Sequence, residues 1–174
     1  MTVDRASEPP ADRLSGSETG RSLSQKMLGR LLHLYFRIVR GMTLGVRAAV
    51  LDGEGRVFLV RHTYTPGWHL PGGGVEVGET LEQALAKELR EEGCIRLTGP
   101  VLLHGVFFNR AMSRRDHVAV FVVREFVAES VKQPDREIAE AGFFSLETLP
   151  EGTTPATRRR LDEIAAGERA PVVW

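Results

Sequence analysis

From residue 43 onward, apolar and polar positions alternate with a short period, and this predicts most of the chain's elements. Residues 43–51, TLGVRAAVL, read as a strand. The turn-forming run Asp52-Gly53-Glu54-Gly55 follows, then RVFLVRH as a second strand, so that the two make an expected hairpin. VLLHGVFFN (101–109) and HVAVFVVREF (117–126) predict another hairpin, joined by RAMSRRD. GFFSL (142–146) supplies a last strand, and residues 154–167 a terminal helix stopped by Gly167. Between the hairpins the period lengthens to that of a helix, roughly Glu79 to Glu92, entered through Pro71-Gly72-Gly73-Gly74. Strands around one central helix, with another helix at the end, predict an α/β sandwich with a mixed sheet.

The first 40 residues follow other rules. Residues 1–20 hold two arginines and four acids, with Pro9, Pro10, Gly16 and Gly20, which predicts a disordered leader over 1–21. Residues 21–40 hold five basic residues and no acid. Leu23, Met27, Leu31, Leu34 and Ile38 recur there at helical spacing, predicting a basic amphipathic helix over 22–40. It would dock on its own domain, on a second copy in a homodimer, or on an anionic membrane surface. The remainder, 41–174, is the expected folded domain.

Composition narrows the function classes. Lys and Arg (23) balance Asp and Glu (23), which argues against a protein that coats nucleic acid. The single cysteine, Cys94, allows no intrachain disulfide. No apolar run is long enough for an integral membrane segment, and the N-terminus lacks a signal-peptide core, so a cytoplasmic protein is expected.

The central helix carries the chemistry. At about 100° per residue, Leu81, Leu85 and Leu89 form one stripe, and Glu88 and Glu92 fall within about 20° of Leu81, with Glu91 at its edge. Three carboxylates on the core-facing side of a helix C-terminus repel one another, lose hydration and oppose the helix dipole. A cation must offset them. Clustered carboxylates are hard oxygen ligands, suited to Mg2+ or Mn2+. The five histidines are scattered, none paired at ligand spacing, so they predict no zinc site.

GGVEVGETLEQALAKELREEGCI, residues 73–95, resembles the Nudix box, with Gly73, Glu79, Glu88, Leu89, Glu91, Glu92 and Ile95 at the family's fixed positions. RVFLVRHTYTPGWHLPGG before it and DREIAEAGFFSLETLP after it are also similar, and the resemblance covers about residues 43 to 150. Two positions depart. Lys87 stands where the family has arginine, keeping the charge but losing the bidentate fork. Cys94 stands where the family has glycine, leaving Gly93 to serve as the left-handed cap.

The resemblance implies a Nudix-like α/β/α sandwich and a Mg2+- or Mn2+-dependent hydrolase. It would cleave a nucleoside diphosphate linked to another moiety, a small-molecule nucleotide, and release a nucleoside monophosphate. It further implies that Glu88, Glu91 and Glu92 hold metal, with the carbonyl of Gly72 as an extra ligand. Glu79 and Lys87 would act behind them. One more acid, from Asp135, Glu137 or Glu140, joins Glu91 and Glu92 in catalysis, and Glu137 best fits the family's spacing. The residues themselves leave the substrate contacts open. Arg47 and Arg61 could hold phosphates or stay solvated, Trp68 could stack a base or lie in the core, and His69 reads as structural. The rival function is a Nudix-fold module that binds or senses a nucleotide with little turnover. An isoprenyl diphosphate isomerase would need further Cys and Glu groups. No proline lies between Pro100 and Pro134 and no tyrosine after Tyr64, so the marks of ADP-ribose and diadenosine-polyphosphate specialists are missing and a small nucleoside di- or triphosphate derivative is expected.

Overall fold

The computed structural model describes residues 27, 31, 32, 34–36, 39, 41–168 and 171–174. It divides into two units, residues 1–41 and 42–174. In the first, Met27, Leu31, Leu32, Leu34, Tyr35, Phe36 and Val39 are helical and exposed, where the sequence predicts the basic helix. The leader expected over 1–21 lies outside the described residues. Among the described residues no helix is long and apolar enough to cross a membrane.

The second unit runs β1 (Thr43–Val50), β2 (Arg56–His62), α1 (Leu81–Gly93), β3 (Ile95–Leu97), β4 (Leu102–Phe108), β5 (Asp116–Val123), β6 (Phe126–Ala128), β7 (Ile138–Ser145) and α2 (Pro155–Ala166). Its longest strands are apolar on both faces, and their alternate residues feed two cores. Val46, Ala48 and Val50 of β1, Phe58 and Val60 of β2, and Ala119, Phe121 and Val123 of β5 meet Ala84, Leu85 and Leu89 of α1. Ala49, Val57, Leu59, Val118, Val120 and Val122 point the other way, against Trp68, Leu70, Phe107 and Leu161 of α2. Helices over both faces of a mixed sheet make the α/β/α sandwich.

The first expected hairpin does not form as such. Asp52 does close the turn, its carboxylate accepting from the N–H groups of Glu54 and Arg56 at 2.9 Å each. Beyond the bridge Leu51–Val57, however, the strands part: β1 pairs in parallel with β5, and β2 pairs antiparallel with β7. A strand with no polar face is stable only inside a sheet, and β5 is the equally apolar neighbour. The second hairpin, β4 with β5, forms with a bulge between Leu103 and Gly105. The run 117–126 breaks at Val123, and β6 pairs instead with β3 in a short ladder that the pattern did not predict.

A capping box starts α1, two residues later than expected. The Gln83 N–H donates to Thr80 Oγ1 at 3.2 Å, and the Thr80 N–H to Gln83 Oε1 at 2.9 Å. The helix ends on Cys94, at φ 52° and ψ 35°, whose N–H donates to the Arg90 carbonyl at 3.1 Å. Gly93 is therefore not the left-handed cap. It is needed for its size, because a Cβ there would stand 2.9 Å from the Phe58 ring. Since a left-handed side chain is strained, Cys94→Gly should raise stability by about 0.5–1 kcal/mol and Tm by about 2 °C, measured by thermal melting.

Candidate functional site

Four segments build the site: the end of β2, the loop 71–74, the last turn of α1 and the loop before β7. The loop 71–74 is fastened along β1. Val46 N–H donates to Gly73 O, and Ala48 N–H to Pro71 O, each at 2.9 Å. This brings the Gly72 N–H to Glu92 Oε2 at 2.7 Å, so loop and helix end are joined directly. Glu92 is only 3% exposed. Burial pushes its carboxyl up to about 7, although the Gly72 N–H and the charge of Arg47 pull the other way. Glu88 is half-buried and also raised, first by burial and then by the charge of Glu91. Its carboxylate lies over Gly73, where a Cβ would come within 2.5 Å of Oε1.

Opposite Glu92 stand His62 and Glu137. One ligand atom from each of His62, Glu92 and Glu137 lies within 4.8 Å of the others. A bulge in the β2–β7 ladder creates this meeting: Arg61 opposes Glu140, but His62 opposes Ile138, so β7 slips by one residue. The loop is then secured from both ends. Thr63 N–H donates to Glu137 O at 2.9 Å, and the Tyr64 hydroxyl to Glu137 Oε1 at 3.2 Å. Asp135 accepts from the N–H groups of Glu137 at 2.8 Å and Ile138 at 2.7 Å, and also from Lys132, which holds the Glu91 backbone carbonyl at 2.7 Å. These bonds keep the Asp135 carboxyl well below the usual range. Of the three loop acids, Asp135 is thus committed to the backbone and Lys132, and Glu140 to Arg61 at 2.7 Å. Glu137 faces the cluster.

Lys132 ties the loop that carries Glu137 to the end of α1. Lys132→Met should lower kcat about tenfold with a smaller change in KM, and Lys132→Arg should recover part of it, in steady-state assays.

The other expected residues fall in different places. Glu91 is exposed, and both it and Glu88 lie outside the three-residue group, while Glu88 feels the charge of Glu91 and Glu92 feels that of Glu88, so the three box carboxylates share one helix end at different depths. Gly72 offers its N–H to Glu92, while its carbonyl, the expected extra ligand, accepts from the Arg47 guanidinium, which also donates to Leu70 O at 3.2 Å. Lys87, in place of the family's arginine, reaches Glu79 at 3.1 Å and Glu76 at 3.2 Å. Those contacts and the Glu76 N–H lower the Glu79 carboxyl, the backbone bond most. Arg61 is exposed, its Nη2 paired with Glu140 at 2.7 Å. Trp68 is not free to stack a base. It is buried at 6% exposure in the second core, edge-on to Phe144. His69 is structural, Nε2 lying 3.0 Å from Pro66 O. His62 was not foreseen, because sequence spacing does not show which strand residue a bulge sets beside a helix end.

The donor set fits a divalent cation. Three observations say so: a buried, raised carboxyl at Glu92, a carboxylate seated where Gly73 leaves room, and a buried His62 whose Nε2 stands 3.6 Å from Glu92 Oε1. Beside the cluster lies a cavity of about 450 Å3, lined by Leu44, Asn109, Met112, Asp116, Thr154 and Trp174 among others. It contains none of the cluster's glutamates and meets them through Arg47 and Gly73.

Residues 41–164 match the NUDIX domain. The chain belongs to this family. It is 31% identical over 106 residues to the ADP-ribose pyrophosphatase of Methanocaldococcus jannaschii, covering 58% of this chain and 61% of that protein. Over 118 residues it is 34% identical to the NAD-capped RNA hydrolase NudC of Citrobacter koseri, covering 66% of this chain and 44% of that one. The chain therefore spans less than two thirds of these relatives' own lengths. Among solved structures it is similar to a MutT NUDIX hydrolase from Burkholderia pseudomallei, at 30% identity and a TM-score of 0.60, covering 70% of this chain and 97% of that one. Within this Nudix domain the box departs at Lys87 and Cys94 without loss of a carboxylate.

Proposed function

We propose that the chain is a Mg2+- or Mn2+-dependent pyrophosphohydrolase, which hydrolyses a diphosphate bond in a small nucleotide derivative and releases a nucleoside monophosphate. One observation carries this reading. The buried Glu92 faces Glu137 and His62 with donor atoms within 4.8 Å and no hydrogen bond among them. A fold keeps such an arrangement for a ligand rather than for stability.

A bound divalent cation would neutralise diphosphate charge and lower the pKa of nearby water. Glu88, Glu91 and Glu92 are the carboxylates that would hold it. Glu137, steadied by the Tyr64 hydroxyl, accepts the proton of the attacking water. Arg47, between cluster and cavity, sets positive charge beside the diphosphate. Glu79 and Lys87 fix the loop that leads into the helix. The cavity receives the nucleoside. ADP-ribose and an NAD cap, named for the relatives, share an adenosine joined through a pyrophosphate to a second ribosyl unit, which supports the linkage and leaves the outer moiety open.

The test is a panel of deoxynucleoside triphosphates, UDP- and GDP-sugars, ADP-ribose, dinucleotides and capped RNA, with Mg2+ or Mn2+. Products would be identified in isotopically labelled water. A nucleoside monophosphate with label on one phosphate is expected. Nucleotide binding without product under either metal would instead assign a sensing module.

A further inference from the structure

We propose that His62 is itself a metal ligand, and that its nitrogen tilts the site from Mg2+ toward Mn2+ and the later transition ions. This rests on the hydrolase reading above. The imidazole is 6% exposed, and neither ring nitrogen makes a hydrogen bond: Nδ1 is buried without a partner, and Nε2 stands 3.6 Å from Glu92 Oε1. A histidine buried for packing normally satisfies its nitrogens. Two others place one nitrogen within hydrogen-bond distance of an oxygen, His69 Nε2 at Pro66 O and His104 Nε2 at Glu163 Oε2, 3.3 Å away, whereas His62 Nε2 has only the longer contact to Glu92. His117 also has an orphan Nδ1, but His62, Glu92 and Glu137 form the one such donor group among the described residues.

The placement of His62 is built, not incidental. The ladder bulge sets Ile138 opposite it and Glu137 beside it, and Tyr64 and His69 flank the ring at 5.1 and 5.8 Å between centroids. Glu92 is held on its far side by the Gly72 N–H, so its Oε1 stays turned toward the imidazole. A groove of about 400 Å3, lined by Arg61, His62 and Tyr64 among others, leads to the ring from solvent. An all-carboxylate site treats Mg2+ and Mn2+ similarly. An imidazole donor adds ligand strength that Mn2+, Co2+ or Ni2+ gains and Mg2+ scarcely does.

The experiment uses the full chain loaded with Mn2+ and no nucleotide. Electron spin-echo spectroscopy is expected to show nitrogen modulation from a bound imidazole, and His62→Gln is expected to lose it. Mn2+ affinity, read from the free-ion signal, should exceed Mg2+ affinity, read by competition, by at least about tenfold, and that ratio should collapse toward unity in the variant. A melting curve checks that His62→Gln is folded; if it is not, the modulation in the unaltered chain decides alone. Tight Mn2+ binding without nitrogen modulation overturns the role of His62 and leaves the hydrolase reading standing. Modulation that persists in a folded His62→Gln also overturns it. Failure to bind either ion overturns both.

Discussion

Glu92→Gln is expected to lower kcat/KM by at least about 100-fold and, without divalent ions, to make the protein more stable. The substitution keeps the shape and leaves an oxygen to accept the Gly72 N–H, so the joint between loop and helix survives. What it removes is a charge that burial disfavours. Folding raises this carboxyl from 4.5 to about 7. Below the lower value it is protonated in both states and costs nothing. Between the two, the unfolded chain releases the proton and the folded chain keeps it, so stability falls as pH rises through this window and levels off above it. The loss is on the order of 3 kcal/mol, and Glu88, raised in the same direction, adds to it. Melting temperatures in chelator should therefore decline from about pH 5 to 7 in the unaltered chain and be flatter in Glu92→Gln. Mn2+ should restore stability at neutral pH in the former only. Near-normal turnover in the variant would remove Glu92 from the reacting centre.

Two adjacent glycines should give opposite kinds of failure. Gly72 sits at φ +139°, and a Cβ there would lie 2.1 Å from Val46 O and 2.9 Å from Arg47 Cα. Both obstacles are backbone of β1, fixed by its pairing with β5 and by the bonds from Val46 and Ala48 to the loop. Gly72→Ala should cost about 3 kcal/mol or more and yield little folded protein. At Gly73 the three nearest atoms all belong to the Glu88 carboxylate, the closest at 2.5 Å, and a side chain can turn aside. Gly73→Ala should cost less than about 1 kcal/mol yet lower kcat about tenfold or more, because Glu88 is displaced. Urea melts and steady-state kinetics on both variants separate the outcomes. Equal losses of stability would show that Gly73 is not a seat for Glu88.

The helix was legible in the sequence because its period is local. Leucines at 81, 85 and 89 fix the buried face, and Glu88 and Glu92 cannot avoid being near it. Glu91 shows the limit of that projection. It gives the angle of a residue but not its depth, and Glu91, at the stripe's edge, is exposed. The pairing of β1 was not legible for a related reason: apolar runs on both faces announce burial, while a parallel partner far along the chain leaves no local trace. His62 was missed because a one-residue slip in the ladder sets it beside Glu137, and no spacing rule encodes the slip. Trp68 was ambiguous as any aromatic is; the bridge from Trp68 to Thr153 and the edge of Phe144 assign it to the core.

The sheet's two faces divide the labour. The carboxylates ride on α1 over the first core, whereas much of the cavity wall comes from the other side: Asn109, Met112 and Asp116 around the β4–β5 connection, Thr154 and Ala156 at the start of α2, and Trp174. The carboxylates and most of the cavity wall thus come from different elements, which meet at Arg47 and Gly73. A library confined to Asn109, Met112, Asp116, Ala156 and Trp174 would thus be the economical place to look for new substrates.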